Sequence, residues 1–393
     1  MTAVQEAPGA CSPQSRDRRS FLGRFTTTVG SLALSDHIPA TQTHAPGLAR
    51  AFGKAFFMGV AVSNQALEQE DEPQLDLIRR EFNSVTGENA MKWGVIRPDG
   101  VNWQWERADR LADLAGRNRM ALVGHTLVWH SQIPSNVFVD AAGRPLTRNV
   151  LLARMQEHID TLVGRYKGRV WAWDVVNEAV DEGNGWRRSR WHEIIGDDYM
   201  EQAFRFAHAA DSRAQLLYND YNMHNPRKRA FLVDVLRGYL DRGVPVSAVG
   251  LQSHVGLNYP DLAEWERSIA TYASMGLKVH ITELDVDVLP QVGAAQADVS
   301  SRSAYSREID PWPQGLPDSM QEKLADRYEE LFRILLRYRR SVERVTFWGL
   351  HDGISWKNDF PVRGRTNYPL LFDRQMNPKP ACYRLTKLAR EQL

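Results

Sequence analysis

Two glutamates end separate apolar runs of the sequence. Glu178 closes the run VWAWDVVNE, and Glu283 closes the run VHITE. Each carboxyl group would therefore be partly removed from water, and such burial raises the pKa of a carboxylic acid. A protonated carboxyl group beside an ionised one has a known use, because cleaving a glycosidic bond needs one carboxyl to donate a proton and a second to act at the anomeric carbon.

Further polar and aromatic residues follow the other apolar runs. Amide, imidazole and amine groups can bind the hydroxyl groups of a sugar, and indole rings offer flat surfaces for its faces. These residues are Glu88, Asn89, Lys92, His125, Trp129, His130, Asn177, Asn219, Asp220, Tyr221, Gln252, His254, Asp285, Trp348 and Trp356. Asp285 follows Glu283 by two residues, so both side chains project to the same side of an extended strand. An imidazole held by Asp285 could then hydrogen-bond Glu283 and set its charge.

Each of these residues also has a purely structural interpretation. A glutamate that ends a buried strand can be a salt-bridge partner, and Lys92 can be a surface charge. His125 and His130 could be metal ligands, but their spacing at a strand end fits no standard metal pair, and neither a cysteine nor a clustered third ligand accompanies them. The sequence contains no serine-centred elbow or paired metal motif. We therefore predict that the chemistry uses carboxyl groups, without a metal or another cofactor.

Eight short apolar runs alternate with segments of helical periodicity. The predicted strands are residues 54–62, 82–87, 120–127, 169–176, 214–220, 246–252, 278–284 and 344–350, and the clearest amphipathic helices are 151–167, 198–210, 226–242 and 319–339. Strands alternating with helices predict parallel strands joined by right-handed crossovers. Eight such units fit an α/β fold of the (β/α)8 TIM-barrel type. A doubly wound open sheet is the competing architecture, but no glycine-rich phosphate turn follows the first strand.

The barrel prediction explains how the two glutamates would meet. Active sites of this fold lie at the carboxyl ends of the strands. Glu178 ends the fourth predicted strand and Glu283 the seventh, so the two carboxyl groups would face each other across the barrel mouth. The connection 289–318, rich in Pro, Ser and Asp, is too long for a plain loop, and loops of that length tend to be functional or disordered.

The composition excludes several other classes of protein. Lys and Arg number 49 against 48 Asp and Glu in 393 residues, a formal net charge of +1, which argues against a nucleic-acid partner or an anionic membrane surface. The sequence contains no apolar run of about 18 residues, so it predicts no membrane-spanning helix. The two cysteines, Cys11 and Cys382, exclude a disulfide scaffold. We expect a single catalytic domain over residues 50–393 and a monomer.

The first residues predict a leader rather than a folded element. Residues 1–45 form this predicted leader. Residues 1–20 lack periodicity, and Arg18-Arg19 precede Phe21-Leu22 and a mildly apolar stretch. This arrangement resembles a twin-arginine export signal, which predicts a periplasmic or secreted protein. The alternative is a disordered tail in which the arginine pair occurs by chance.

Six segments, in order along the chain, resemble the signature blocks of glycoside hydrolase family 10, the endo-1,4-β-xylanases. They are residues 82–93 (FNSVTGENAMKW), 124–130 (GHTLVWH), 173–179 (WDVVNEA), 250–254 (GLQSH), 281–285 (ITELD) and 346–350 (TFWGL). The resemblance extends from about residue 54 to residue 385. It implies hydrolysis of internal β-1,4-xylosidic bonds in xylan and xylo-oligosaccharides, with retention of configuration, on a (β/α)8 barrel without a metal.

The resemblance also implies a role for each matching residue. Glu178 would be the proton donor and later the base, and Glu283 the nucleophile. The residues implied to line the sugar site at the point of cleavage are Lys92, His125, Trp129, Asn177, Gln252, His254, Trp348 and Trp356. Glu88 and Asn89 would bind the next sugar towards the non-reducing end. The supporting role of Asp285 is expected from its spacing from Glu283 and not from the resemblance. Gly87, where the family often has Pro, and the unusual His351 are small departures.

Two further functions stay open on the sequence alone. One is a catalytically idle carbohydrate-binding barrel, which the presence of both glutamates argues against. The other is a barrel glycosidase with another main substrate, such as β-glucan. Trp348 and Trp356 would crowd the hydroxymethyl group that distinguishes glucose from xylose, but only substrate assays can decide this.

Overall fold

The structure, a computed structural model, describes residues 47–183, 185–292 and 303–393. The predicted leader, residues 1–45, lies outside these residues, as does part of the predicted 289–318 connection. The strands of the described residues are β1 Phe57–Val62, β2 Ser84–Gly87, β3 Ala121–Val128, β4 Val170–Asn177, β5 Gln215–Asp220, β6 Ala248–Leu251, β7 His254–Gly256, β8 Lys278–Asp287 and β9 Val342–Phe347.

The helices of the described residues lie between these strands and at the two ends. They are α1 Leu48–Phe52, α2 Asn64–Gln69, α3 Glu72–Glu81, α4 Trp93–Ile96, α5 Glu106–Arg117, α6 Arg148–Arg165, α7 Arg190–Ile195, α8 Tyr199–Ala210, α9 Pro226–Asp241, α10 Leu262–Ser274, α11 Asp318–Arg337 and α12 Pro380–Gln392. Short 3-10 turns occur at Ser135–Phe138, Arg307–Ile309, Asp352–Ile354 and Trp356–Asn358. None of the helices in the described ranges has both the length and the apolar character needed to cross a membrane.

Eight of the strands close into a parallel barrel. The hydrogen-bonded order runs from β1 through β6, then to β8 and β9, and β9 pairs with β1 again. Each predicted strand overlaps one of these eight, so the predicted (β/α)8 barrel is confirmed. The four predicted amphipathic helices correspond to α6, α8, α9 and α11, with ends that differ by at most three residues.

One strand was not predicted. The seventh predicted strand ends at residue 284, whereas β8 continues to Asp287. The extension forms because the short strand β7 pairs with it in parallel, with His254 opposite Asp285. This additional pair lies beyond the closed barrel and, as described below, brings a histidine to a carboxylate.

Local signals fix where the helices begin. The Asn225 side chain accepts hydrogen bonds from the backbone N–H groups of Arg227 and Lys228, and Pro226 occupies the first helical position of α9. Both are favourable at a helix N-terminus, where four N–H groups lack helical partners. The start of α9 is therefore well defined, and Lys228 lies in its first turn.

The barrel interior contains a polar layer as well as apolar residues. Arg344 of β9 is fully buried, and its guanidinium donates to the hydroxyls of Thr86 (3.0 Å) and Thr346 (2.8 Å) and to Nδ1 of His280 (3.2 Å). Burial lowers the pKa of Arg344 to about 10. The larger apolar core lies between the strands and the surrounding helices, and includes Trp265, Tyr328 and Phe332.

Candidate active site

A cleft opens at the carboxyl ends of the strands, and all twelve residues predicted to catalyse or bind line it. Several directly follow a strand: Glu88 after β2, Trp129 after β3, Glu178 after β4, Gln252 after β6 and Trp348 after β9. The complete lining is Glu88, Asn89, Lys92, His125, Trp129, Gln132, Asn177, Glu178, Gln252, His254, Glu283, Trp348 and Trp356. Gln132 is the one addition to the predicted set. It lies in the loop after β3, where no sequence pattern marks it.

Glu178 is surrounded by uncharged hydrogen-bond donors. Its side chain is buried, and the indole Nε1 of Trp129 donates to Oε2 at 2.8 Å while the amide of Gln252 donates to Oε1 at 3.0 Å. Burial, together with the charge of Glu283, raises the pKa of this carboxyl despite the two hydrogen bonds. The protonated form of Glu178 is therefore favoured.

Glu283 has a different set of neighbours. The amide of Asn219 donates to Oε1 at 2.8 Å, and Nε2 of His254 lies 3.3 Å from Oε2. Burial would raise the pKa of Glu283, but the hydrogen bond from His254 and the charges of His125, His254 and Lys92 outweigh it, so the pKa is lowered. The ionised form of Glu283 is favoured.

His254 connects Glu283 to Asp285. Its Nδ1 lies 2.9 Å from Oδ2 of Asp285, and the indole of Trp356 donates to the same oxygen at 2.8 Å. Burial would lower the pKa of His254, but the carboxylates of Asp285 and Glu283 raise it to about 9. At neutral pH the imidazole is therefore charged and donates from both nitrogens. Asp285 itself does not line the cleft and acts from behind His254.

Asn219 lies beneath both glutamates. Its amide nitrogen contacts the Asn177 side chain at 2.9 Å as well as Glu283, and its Oδ1 accepts a hydrogen bond from Thr282 at 2.6 Å. Gly250 on the neighbouring strand gives this side chain room, because a Cβ there would lie 2.4 Å from Oδ1 of Asn219. The sequence marks Asn219 only as a polar residue near a strand end, and only the register of β5, β6 and β8 reveals its contact with Glu283.

The opposite wall of the cleft carries a buried lysine between aromatic rings. Nζ of Lys92 lies 4.9 Å from the ring centre of Trp129 and 5.9 Å from that of Trp348, and it donates to the side-chain oxygen of Asn89 at 3.1 Å. Burial lowers the pKa of Lys92 and raises the pKa of Glu88. This wall therefore presents hydrogen-bonding groups and indole faces together, as a sugar ring requires.

Each of the two histidines considered as a metal ligand lies near a carboxylate. Nδ1 of His125 lies 2.9 Å from Oδ2 of Asp174, and Nδ1 of His130 lies 3.9 Å from Glu178. Within residues 47–183, 185–292 and 303–393, no group of three or more His, Cys, Asp or Glu side chains is arranged to hold a metal ion. The cleft does hold two carboxyl groups with opposite pKa shifts. The pKa of Glu178 is raised, which favours its protonated form, and the pKa of Glu283 is lowered, which favours its ionised form. That is the requirement for general acid and nucleophilic catalysis at a glycosidic bond.

Comparisons with known proteins agree with this chemistry. A sequence profile described as "Glycosyl hydrolase family 10" matches residues 47–388. The chain is 41% identical over 352 residues to endo-1,4-β-xylanase A of Xylanibacter ruminicola, covering 89% of this chain and 95% of that protein. It is likewise 41% identical over 345 residues to an endo-1,4-β-xylanase of Geobacillus stearothermophilus, covering 87% and 98%.

Solved structures give the same result. An endoxylanase retrieved from a sugarcane soil metagenome is 48% identical and superimposes with a TM-score of 0.86, covering 87% of this chain and all of that one. A xylanase of Paenibacillus barcinonensis, solved with a conduramine derivative, is 37% identical with a TM-score of 0.79, covering 88% and 99%.

Proposed function

The chain belongs to glycosyl hydrolase family 10, and from that premise we propose that it is an endo-1,4-β-xylanase acting with retention of configuration. The single observation that carries the proposal is the opposite tuning of Glu178 and Glu283 within one cleft. The names of the similar proteins support xylan as the substrate.

In the proposed mechanism the two glutamates act in two steps. Glu178 donates its proton to the leaving oxygen while the carboxylate of Glu283 attacks the anomeric carbon, so the glycosidic bond breaks and a covalent glycosyl-enzyme forms. In the second step the ionised Glu178 takes a proton from water, which displaces Glu283. Esterification of Glu283 removes its negative charge, and that charge is one of the causes of the raised pKa of Glu178. Glu178 is therefore a stronger acid in the intermediate, as its second role as a base requires.

The other lining residues bind the substrate in this proposal. Lys92, His125, Trp129, Asn177, Gln252, His254, Trp348 and Trp356 would hold the sugar at the point of cleavage, and Glu88 and Asn89 the next sugar. Asp285 keeps His254 charged and oriented. The reaction written in this way needs no metal and no other cofactor.

Substrate and stereochemistry are tested together. Xylo-oligosaccharides and cello-oligosaccharides of equal length are compared, and the first product formed is followed by NMR. We expect hydrolysis of the xylose series, with the β anomer appearing first because two inversions retain configuration. Preferential cleavage of the glucose series would favour the β-glucan alternative, which Trp348 and Trp356 oppose by crowding the hydroxymethyl group. An α anomer formed first would contradict a nucleophilic Glu283.

We also propose that residues 1–45 direct export of the protein to the periplasm or out of the cell. Residues 50–393 form the catalytic domain in this proposal, and the enzyme acts as a monomer. The support for export is the Arg18-Arg19 pair followed by a mildly apolar stretch. The support for the catalytic domain is the family profile, which matches residues 47–388. Changing both arginines to lysine should retain the precursor in the cytoplasm, as measured by cell fractionation. Normal export of that variant would contradict the twin-arginine route.

A further inference from the structure

The backbone at Glu178 adopts a conformation that a non-glycine residue rarely takes. Its φ angle is +57°, in the left-handed region. Such strain persists only where the surrounding structure holds it in place. Here the N–H of Glu178 donates to the carbonyl of Asn219 at 2.9 Å, and its carbonyl accepts from Nε of Arg187 at 2.9 Å. Both backbone groups of the residue are thus fixed by neighbours outside the cleft lining.

The next two backbone N–H groups converge on one hydroxyl. Tyr218 of β5 accepts hydrogen bonds from the N–H groups of Ala179 (3.1 Å) and Val180 (3.2 Å). Its own proton goes to Oδ2 of Asp220. The hydroxyl therefore uses its full hydrogen-bonding capacity, and the Tyr218 side chain is completely buried. Tyr218 thus joins Arg187 in fixing the direction in which the chain leaves Glu178.

A buried ion pair lies behind this tyrosine. Oδ1 of Asp220 accepts from Nζ of Lys228 at 2.7 Å and from the N–H of Tyr221 at 2.9 Å, and both charged side chains are fully buried. Nζ of Lys228 also lies 3.8 Å from Glu182, in the segment that follows Glu178. Since Lys228 lies in the first turn of α9, the pair ties this segment and the end of β5 to that helix.

A buried ion pair is weak support for stability, because desolvating both charges offsets much of their attraction. What this pair does supply is a fixed orientation for the Tyr218 hydroxyl. We propose that Tyr218, with Asp220 and Lys228 behind it, is a positioning unit that holds the Glu178 carboxyl in line with the leaving oxygen. The inference rests on the proposed role of Glu178 as proton donor. None of the three side chains lines the cleft, so they act through Glu178 and not on the substrate.

This role predicts a defect limited to bonds whose cleavage needs a proton. Cleavage of xylotriose expels a sugar oxygen, which is a poor leaving group and needs the proton from Glu178. Cleavage of an aryl xylobioside that releases dinitrophenolate does not need this proton, because dinitrophenolate is a good leaving group. The informative quantity is the ratio of kcat/KM for the two substrates. Both values scale with the concentration of folded enzyme, so the ratio is unaffected if a variant folds only in part.

The main variant is Tyr218→Phe, and Lys228→Met tests the ion pair. We expect the ratio of kcat/KM for xylotriose to that for the aryl xylobioside to fall by about 10- to 100-fold in Tyr218→Phe, because small misplacements of a catalytic group cost factors of that order. A smaller fall in the same direction is expected for Lys228→Met. The matched control is Tyr166→Phe, since the Tyr166 hydroxyl also donates to an aspartate (Asp109, 2.8 Å) but before β4 begins. That control should keep the wild-type ratio.

Glu178→Ala measured in the same assay separates the two proposals. If Glu178→Ala lowers the ratio and Tyr218→Phe leaves it unchanged, Glu178 is the proton donor and the positioning role of Tyr218 is wrong. If Glu178→Ala leaves the ratio unchanged, the proposed role of Glu178 fails and the positioning unit fails with it. If Tyr166→Phe lowers the ratio as much as Tyr218→Phe does, the effect is a general consequence of losing a buried hydroxyl. That outcome would also overturn the proposal.

Discussion

Glu178 and Glu283 are both glutamates at the mouth of the barrel, and they are almost equally buried, with 6% and 5% of their surface exposed. Their pKa values nevertheless move in opposite directions. Burial raises the pKa of both carboxyls. At Glu178 the donors are a neutral indole and a neutral amide, and burial prevails. At Glu283 a charged imidazole and a buried lysine are added, and they outweigh burial. The difference between the two roles therefore lies in the neighbours and not in the depth of burial.

A buried histidine elsewhere shows what burial does without partners. Among the described residues, neither ring nitrogen of His158 has a hydrogen-bond partner, and its ring is stacked between Trp93 (3.5 Å between centres) and Trp103 (5.2 Å). Burial, followed by the charge of Arg97, holds its pKa well below the usual value. His158 thus differs from His254, which is also buried but has carboxylates on both nitrogens and a raised pKa.

Removing the proposed nucleophile should have the largest effect. In Glu283→Ala no covalent intermediate can form, so kcat/KM should fall by roughly 10⁴-fold or more on every substrate, activated aryl glycosides included. Added azide can then occupy the vacated space and attack the opposite face. The product expected by NMR is the glycosyl azide of inverted configuration, and a retained azide from this variant would show that the roles are reversed.

Removing the proposed proton donor should have a smaller and more selective effect. In Glu178→Ala, hydrolysis of xylan should fall by about 10²- to 10⁴-fold, the usual contribution of general acid catalysis. Bond cleavage in an aryl xylobioside with a good leaving group should be far less affected. The intermediate then accumulates, because no base activates water, and azide should restore turnover as the β-glycosyl azide. Equal losses on both substrates would contradict the assignment.

Removing the charge that distinguishes the two sites should bring their pKa values closer. In His254→Asn, Glu283 loses a charged donor and its pKa rises. Glu283 acts as a carboxylate, so activity is present above its pKa and is lost as pH falls through it. The acidic limb of the kcat/KM profile should therefore move to higher pH by about one unit, since a nearby opposite charge shifts a carboxyl pKa by about 1–3 units.

The alkaline limb tests the same substitution from the other side. That limb reports Glu178, which must be protonated, and Glu178 receives no hydrogen bond from His254 among the described contacts. It should move much less than the acidic limb. His192→Asn is the matched control, because His192 lies 2.8 Å from Asp197 outside the cleft. An unchanged acidic limb in His254→Asn would show that His254 does not set the charge of Glu283.

The sequence could predict most of this arrangement, for identifiable reasons. Apolar runs followed by Glu178 and Glu283 mark strand ends, and parallel strands in a closed barrel bring their carboxyl ends together. The two-residue spacing of Glu283 and Asp285 even indicates that both face one side. These features depend on residues that are close in sequence.

What the sequence could not predict depends on register between distant segments. Asn219 contacts Glu283 because Gly250, on the next strand, leaves room for its side chain. Strand β7 forms only against the extension of β8. Lys228, a lysine in the first turn of a helix, has the pattern of an exposed charge and is instead fully buried against Asp220. No local pattern encodes such contacts.

The smallest effect is expected at His158, where the influence of burial on a pKa can be measured separately from that of hydrogen-bonded neighbours. The folded protein holds His158 neutral, whereas the unfolded chain takes up a proton below about pH 6.5. The unfolded state then binds more protons, so His158 costs stability increasingly as pH falls below that value. In His158→Phe this cost disappears. Relative to wild type, the free energy of unfolding should rise by about 2 kcal/mol more at pH 5 than at pH 7.

Urea denaturation at the two pH values measures this difference. Comparing the two pH values cancels effects of ring size, such as the strain of fitting a six-membered ring between Trp93 and Trp103, because packing does not change with pH. His208→Phe is the control for replacing an exposed histidine, on α8, and the difference between its effects at the two pH values should be smaller than that of His158→Phe. If the gain for His158→Phe is the same at pH 5 and pH 7, then His158 is not held neutral. Burial would then be a weaker cause of the raised pKa of Glu178, and the charge of Glu283, the other cause that raises it, would have to contribute more.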